Sequence, residues 1–522
     1  MTLPDKFNAA SYFVDRHVKE GRGEKVAIEC GDGRVTYREL FSNVNRVGNG
    51  LLKLGIRREE RVILILPDIP EFAFGFFGAI KIGAVPVPLN PRLTPADYEY
   101  LINDSQAQAA IVGESPFQKL KTIPKDRLGN LKHIIVVGSE KIGRNILFND
   151  FMAQCSPELE PAPTGKDDVA FWLYSSGSTG APKACVHLQH DMVVCSENYA
   201  KGILNITDRD RCFSASKLFF AYGLGNALYY PFSVGATSIL MPEPPKPENV
   251  FNAIERHKPT LFFSVPSNYA SLLSHKGETH DNFDLSSIRL CISAGEALPA
   301  AFFHRLKERF GIEILDGIGS TEALQTFISN IPDHVRPGSS GQIVPGYEAK
   351  IVDDDNMPVR RGEVGNLLIK SDATCAYYWN QPEKSKLTIE GEWLRTGDKY
   401  FEDEDGFFWY VGRTDDMIKS SGAWVSTVEV ENVLMDHPAV FEVAVIGRVD
   451  SGGLTKPMAC VVLRDGLLGT PEVASELQKL AASRLPNYKR PRWVEFLTKL
   501  PKTATGKIQR FKLRASKNFS TS

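Results

Sequence analysis

The chain of 522 residues lacks paired cysteine motifs, an apolar leader, internal repeats and low-complexity tracts. Its eight cysteines (Cys30, Cys155, Cys185, Cys195, Cys212, Cys291, Cys375 and Cys460) are scattered, with no C-x-x-C pair. This predicts reduced thiols in a cytoplasmic protein and argues against a disulfide or zinc framework. A net charge of −2 gives no overall pull toward nucleic acid or a membrane surface, so neither is expected as a partner. The first residues, Met1 to Lys6, hold no signal core. The segment nearest to a membrane span, Phe72 to Leu89, is broken by Gly75, Gly78, Lys81, Gly83, Pro86 and Pro88. It reads instead as a buried helix, a turn at Gly83 and a short strand at 85–87. Walker A spacing, a nucleophile elbow and a zinc signature are all missing.

What is present is an ordinary globular composition, 43% hydrophobic and 24% charged, in a chain too long for one core. Short apolar runs at 61–67, 109–112, 133–137, 236–240, 260–263 and 290–293 alternate with helical patterns such as Leu40 to Leu54. Runs of this kind indicate parallel sheets covered by helices on both faces. Ligands of such sheets bind beyond the carboxyl ends of the strands. Past residue 340 turn residues multiply, as in a small β-barrel or meander. After Asp415 an α+β segment of about a hundred residues follows, with helices near 427–436 and 471–485 and strands near 443–446 and 458–463. The expected architecture is α/β: a large N-terminal domain, 1–415, with two doubly covered sheets plus a small β-barrel, and a smaller α+β C-terminal domain, 416–522.

The apolar run 169–173 leads into Tyr174-Ser175-Ser176-Gly177-Ser178-Thr179-Gly180-Ala181-Pro182-Lys183. Such a loop offers backbone N–H groups and hydroxyls to an anion, with Lys183 as countercharge and glycines that let the backbone approach a phosphate. Four further loop-like motifs occur: Ser293-Ala294-Gly295-Glu296, Asp316-Gly317-Ile318-Gly319-Ser320-Thr321-Glu322, Arg395-Thr396-Gly397-Asp398, and Pro501-Lys502-Thr503-Ala504-Thr505-Gly506-Lys507. Each alone is weak, since an acid at a loop end is commonly a cap. Their order and intervals together are specific.

With these motifs the chain resembles the adenylate-forming superfamily, which contains acyl-CoA synthetases, firefly luciferase and adenylation domains. The resemblance spans about residues 10 to 515. It is narrowest to the benzoate-CoA ligase group of aryl-CoA ligases, through 171–180, Lys217 to Asn226, Ser293 to Pro299 and Pro501 to Arg514. It implies that a carboxylate attacks the α-phosphorus of ATP, giving acyl-AMP, and that coenzyme A then displaces AMP. Under this resemblance Ser175, Ser176, Gly177, Ser178, Thr179, Gly180 and Lys183 would cradle the β- and γ-phosphates. Glu322 would bind Mg2+, a hard cation that takes oxygen ligands. Thr321 would contact the α-phosphate, and Asp398 with Arg413 would hold the ribose. Gly295, Glu296 and Ala297, with Asp316, Gly317, Ile318, Gly319 and Ser320, would surround the nucleotide.

Lys507 would be the catalytic lysine of the first step. The C-terminal domain would then swing on a hinge at Asp415 and bring Lys419, Ser421, Gly422, Ala423 and Trp424 to the pantetheine tunnel. The acyl pocket would come from Phe220, Ala221, Tyr222, Gly223, Ile318, Gly319 and Gln325, which suit a flat ring better than an alkyl chain. From Lys489 to Lys517 ten Lys or Arg accompany one acid, Glu495, which reads either as a solvated face or as an attractor of ATP and CoA phosphates.

Three departures from the group's pattern stand out. Ala184-Cys185 replaces Gly-Val, Ser420 replaces a valine, and Gln325 replaces a histidine. The amide of Gln325 could serve a polar ring substituent, which implies tolerance of, or preference for, an amino- or hydroxybenzoate. His187-Leu188-Gln189-His190-Asp191 matches an H-x-x-x-D acyltransferase pattern and reads as chance, because no general base for acyl transfer is needed beside a phosphate loop. Two other functions compete: an adenylating enzyme that loads a carrier protein, and a non-catalytic nucleotide-binding relative, against which Lys507 and Glu322 argue. A monomer or homodimer is expected.

Overall fold

The computed structural model describes residues 3–138, 145–175, 182–275, 284–420, 423–450, 454–502 and 508–515. The largest sheet has nine strands. Its centre is five parallel pairings that join Ile314–Gly319, Leu290–Ser293, Leu261–Ser264, Arg211–Ser214, Thr237–Leu240 and Val26–Cys30 in that order. Antiparallel strands close both ends, Gly33–Thr36 at one and Thr326–Ser329 with Gln342–Ile343 at the other. A second sheet is parallel throughout, in the order Val85–Pro88, Arg61–Ile65, Ala109–Gly113, His133–Val137 and Ile146–Leu147. Strands Leu261–Ser264 and Thr237–Leu240 are buried at every position, as the runs of Val, Ile, Leu and Phe require of a sheet covered on both faces.

Local chemistry sets the helix ends. Helix Tyr37–Lys53 opens on a capping box, in which Thr36 accepts from the Glu39 N–H and Glu39 reaches back to the Thr36 N–H. It ends before Gly55, whose φ of +83° needs no Cβ to be relieved. Helix Pro70–Lys81 is the membrane-like segment, and it lies in the core with Phe72, Phe76 and Phe77 fully buried. Among the described residues no helix is long and apolar enough to cross a membrane.

The part past residue 340 is an open antiparallel sheet rather than a closed barrel. Glu348–Val352, Gly365–Lys370, Trp393–Glu402 and Ile389–Glu390 follow in order, and Phe408–Arg413 pairs with Trp393–Glu402. Then come a hairpin of Ile418–Ser420 and Ala423–Val425, helix Thr427–Met435, and a sheet of Val440–Val449, Thr455–Leu463 and Trp493–Phe496. Helix Pro471–Arg484 packs through Leu477 and Ala481. Much of the basic C-terminal stretch is already paired: Lys489 with Glu429, Lys502 with Glu442, Arg510 with Glu431, Arg492 with Asp450, and Arg514 with Asp416. The solvated-face reading of that stretch gains accordingly over a free phosphate attractor.

Lys81, at the end of its buried helix, has no solvent exposure. Its Nζ lies 2.8 Å from Asp15 Oδ1 and also donates to Asn45. Burial lowers the ammonium below its usual range, and Asp15 opposes that shift. Replacing Lys81 by Met strands a buried carboxylate, so a loss of about 3–5 kcal/mol is expected in urea unfolding. Asp15→Asn added to Lys81→Met is expected to restore most of it. A double variant no more stable than the single one would refute the pairing argument.

Candidate active site

The phosphate-loop motif lies across a hairpin. Strand Val169–Ser175 pairs antiparallel with Lys183–Leu188, and the register sets Ser175 opposite Lys183 and Tyr174 opposite Ala184. Ser176, Gly177, Ser178, Thr179 and Gly180 lie outside the described residues. Lys183 therefore starts a strand. Its Nζ sits 4.6 Å from the centre of the Tyr378 ring, a cation–π distance. Ala184 and Cys185 are buried, so the Ala-Cys departure is absorbed by packing.

Asp316, Gly317, Ile318 and Gly319 belong to strand Ile314–Gly319 itself and not to a loop beyond it. The two glycines are needed there. A Cβ on Gly317 would stand 2.8 Å from the Ile328 carbonyl oxygen, and one on Gly319 2.6 Å from that of Gln325. The chain then turns through Ser320 to Leu324 with Leu324 at φ +63°. Ala323 N–H donates to Ser320 Oγ at 3.1 Å, and Leu324 N–H to the Thr321 carbonyl at 3.1 Å.

This turn delivers Glu322 to the foot of the hairpin. Its Oε1 accepts from Ser175 Oγ at 3.2 Å and from the Tyr378 hydroxyl at 2.8 Å. Its carbonyl accepts from Cys375 N–H at 2.7 Å. Burial, with Glu322 alongside, pushes the Tyr378 phenol far up, so it stays a donor. Tyr378 carries no motif signal. It arrives because strand Tyr377–Tyr378 pairs with the outer edge of Lys183–Leu188.

Asp316 is buried. Its Oδ2 accepts from Leu298 N–H at 3.2 Å, while Oδ1 has no hydrogen-bond partner among the described residues. Burial pushes the carboxyl up to about 7, against the pull of the Leu298 N–H. Gly295, just upstream of Leu298, is exposed at φ +96° beside Glu296 and Ala297. The Arg395 to Asp398 motif also lies within a strand, Trp393–Glu402, and register sets Asp398 opposite Arg413. Arg413 Nη1 donates to Asp398 Oδ1 at 3.1 Å and to the Thr396 carbonyl at 2.9 Å.

The acyl-pocket residues also gather. Helix Ala221–Leu224 starts after Phe220, and the Tyr222 hydroxyl donates to the Ile292 carbonyl at 3.3 Å. Gln325 does not offer a free amide, and the sequence expectation is corrected here. Its Nε2 donates to the carbonyls of Ala221 at 3.2 Å and Tyr222 at 3.0 Å, with Asn226 Oδ1 at 3.4 Å. Its Oε1 accepts from Thr326 N–H at 3.1 Å. With so many internal partners, Gln325 acts as a brace that ties the wall at 221–222 to the strand at 326.

Of the remaining expected residues, Lys507, Ser421 and Gly422 lie outside the described residues. Lys419, Ala423 and Trp424 are placed by backbone on the hairpin, where Lys419 faces Trp424. Asp415 lies in the turn Thr414–Asp416. A separate cleft of about 760 Å3 is lined by Phe302, Arg305, His437 and Phe441 among others, none of them a motif residue. Among the described residues no cluster of three or more His, Cys, Asp or Glu could hold a metal by itself. A single glutamate fits magnesium nonetheless, because that ion keeps waters and phosphate oxygens as most of its ligands.

A family model described as AMP-binding enzyme matches residues 14–379, and one described as AMP-binding enzyme C-terminal domain matches 429–507. The benzoate–CoA ligase of Thauera aromatica is 45% identical over 98% of this chain and 97% of that protein. The 4-hydroxybenzoate–CoA/benzoate–CoA ligase of Rhodopseudomonas palustris is 42% identical over 98% of this chain and 95% of that one. The crystal structure of the anthranilate CoA ligase AuaEII in complex with anthranoyl-AMP is similar with a TM-score of 0.95 at 43% identity, covering 98% of each chain. The likeness in sequence and in fold extends over nearly the full length, and the chain belongs to the AMP-binding enzyme family.

Proposed function

We propose that the chain is an ATP-dependent aryl-CoA ligase, which converts an aryl carboxylate, ATP and CoA to aryl-CoA, AMP and diphosphate through an aryl-adenylate. The observation that carries the reading is the meeting of Ser175, at the root of the phosphate-loop motif, with Glu322, 147 residues away, in the turn after strand Ile314–Gly319. The names of these three similar proteins, each an aryl-CoA ligase, support the substrate class.

The chemical difficulty is the approach of a carboxylate to a polyanion. Positive charge and fixed geometry lower that barrier. Lys183 and the hydroxyl-rich loop would take the β- and γ-phosphates. Thr321 would orient the α-phosphate. Magnesium, when bound, would neutralise charge between phosphate oxygens, and Glu322 is the residue that would hold it. Asp316 Oδ1, buried without a donor, suits the amino edge of adenine, and Asp398 with Arg413 would fix the ribose. The aryl ring would lie against Phe220, Ala221, Tyr222, Gly223 and Ile318. With the Gln325 amide engaged internally, wall shape selects among ring substituents.

Lys507 would bridge the incoming carboxylate and the α-phosphate as the carboxylate oxygen bonds to phosphorus and diphosphate leaves. The C-terminal domain, 416–522, would then turn on Asp415 so that Lys419, Ser421, Gly422, Ala423 and Trp424 line the path of the CoA thiolate. That thiolate attacks the acyl carbon, and AMP departs.

A panel of acids with ATP and CoA tests the reading. Benzoate and its 2-amino and 4-hydroxy derivatives are expected to exceed hexanoate and cyclohexanecarboxylate at least about tenfold in kcat/KM, roughly 1.4 kcal/mol. An alkyl acid in the lead would refute the aryl assignment. AMP release without consumption of CoA would point to a carrier-protein acceptor.

Lys507→Ala is expected to lower aryl-AMP formation about 10²- to 10³-fold, the scale of one lost electrostatic stabiliser. Thioester formation from supplied aryl-AMP is expected to change little. Undiminished adenylation would contradict the mechanism.

Asp316 generates a pH prediction. Because the fold raises its carboxyl to about 7, the folded chain holds a proton that the unfolded chain releases near pH 4. Its stabilising contribution is full below about pH 4 and is lost as pH rises toward 7. Asp316→Asn cannot titrate, so the stability lost by the parent between pH 5 and 8 should shrink by up to about 3 kcal/mol in denaturant unfolding. Equal slopes in the two proteins would refute the assignment.

A further inference from the structure

The H-x-x-x-D pattern is not idle. His187 and Asp191 are both fully buried. His187 Nδ1 lies 2.8 Å from Asp191 Oδ2, and Nε2 lies 2.9 Å from the carbonyl oxygen of Thr321. Asp191 Oδ2 also accepts from Leu188 N–H at 3.1 Å, and the imidazole stacks on Phe171 with centroids 5.1 Å apart and planes 20° apart. A carbonyl only accepts, so Nε2 carries a hydrogen and donates to Thr321. Asp191 fixes the ring from its other side.

The turn so held is constrained. Leu324 occupies the left-handed region, which is unfavourable for a side chain of its size and persists only when neighbours over-determine it. The Thr321 carbonyl receives two donors, His187 Nε2 and Leu324 N–H. The opposite flank of Glu322 is tied as well. His190 Nδ1 and Nε2 lie 2.8 Å from the carbonyl oxygens of Lys166 and Asp372, and Cys375, three residues past Asp372, donates its N–H to Glu322.

We propose that His187 and Asp191 are a positioning pair for adenylation, which locks the Thr321 carbonyl and thereby aims the Thr321 hydroxyl and the Glu322 carboxylate at the triphosphate. The inference rests on the ligase reading above for its kinetic consequence, and on geometry alone for the lock. The pair takes no proton from substrate. It acts through Thr321, which follows strand Ile314–Gly319, from His187 on the strand that begins with Lys183.

The test compares His187→Leu, which removes the donor, with His187→Gln, whose amide N–H can still reach the Thr321 carbonyl. In His187→Leu, benzoate-dependent ATP–diphosphate exchange is expected to fall at least about tenfold in kcat, as small misplacements of reacting groups do. Thioester formation from supplied benzoyl-AMP should stay within about threefold, since diphosphate has left by then. His187→Gln should recover most of the exchange. Equal losses in both half-reactions, or no loss in exchange, overturn the proposal.

Hydrogen exchange of the ligand-free protein over 318–325 is read in parallel. Protection should drop in His187→Leu and return in His187→Gln, and unchanged protection overturns the lock whatever the substrate proves to be. Absence of exchange activity in the parent with every aryl acid would instead sink the ligase reading and leave the amide-exchange comparison to decide this one.

Discussion

Three pieces of chain that are far apart in sequence must reach one carboxylate. Ser175 ends a strand, Tyr378 sits on a two-residue strand, and Glu322 follows the end of a parallel strand in a different sheet. The 2.8 Å and 3.2 Å hydrogen bonds to Glu322 Oε1 hold only if the hairpin and the nine-stranded sheet keep a fixed mutual position. The rest of the N-terminal architecture supplies that rigidity. The parallel strands at the centre of that sheet are held in register by neighbours on both sides, and the adjoining Val169–Leu188 hairpin is anchored to the sheet through the Thr321 turn.

The same constraint accounts for where glycine is required. Strand Ile314–Gly319 runs beside Thr326–Ser329 with a register shift after Ile318, and the backbones approach too closely for a Cβ at 317 or 319. The small residues of this motif let the returning strand close. Gln325, one residue before the returning strand, then ties that strand to the helix at 221–224.

The fold was legible in the sequence wherever an element was continuous and apolar. The runs at 61–65, 109–113 and 290–293 are strands because nothing else buries a short unbroken stretch of Val, Ile and Ala on both faces. The motifs were legible as chemistry but less so as geometry. Asp316 to Gly319 and Thr396 to Asp398 have the composition of loops, yet they lie within strands, because ladder hydrogen bonds from 326–329 and 408–413 override local propensity. Gln325 read as a free amide, since its acceptors at 221 and 222 lie a hundred residues upstream. Tyr378 and the role of His187 left no local trace for the same reason: their partners at 322 and 321 are distant in sequence.

Two buried charges show how much of this arrangement folding alone explains. Lys81 is sealed in the core, but Asp15 and Asn45 answer it, and removing that trio together with compensating apolar groups would leave a viable interior. Asp316 is buried to a similar degree with one oxygen unanswered. An unpaired buried acceptor costs roughly 1–3 kcal/mol, and the groups that favour the charged carboxyl, the Leu298 and Gly317 N–H and the Ser293 hydroxyl, do not outweigh its burial. A cost of that kind persists where a ligand removes it. Under the proposed function the missing donor is the one a ligand would bring, and the carboxyl that weakens the empty fold toward neutral pH would become part of what holds the nucleotide.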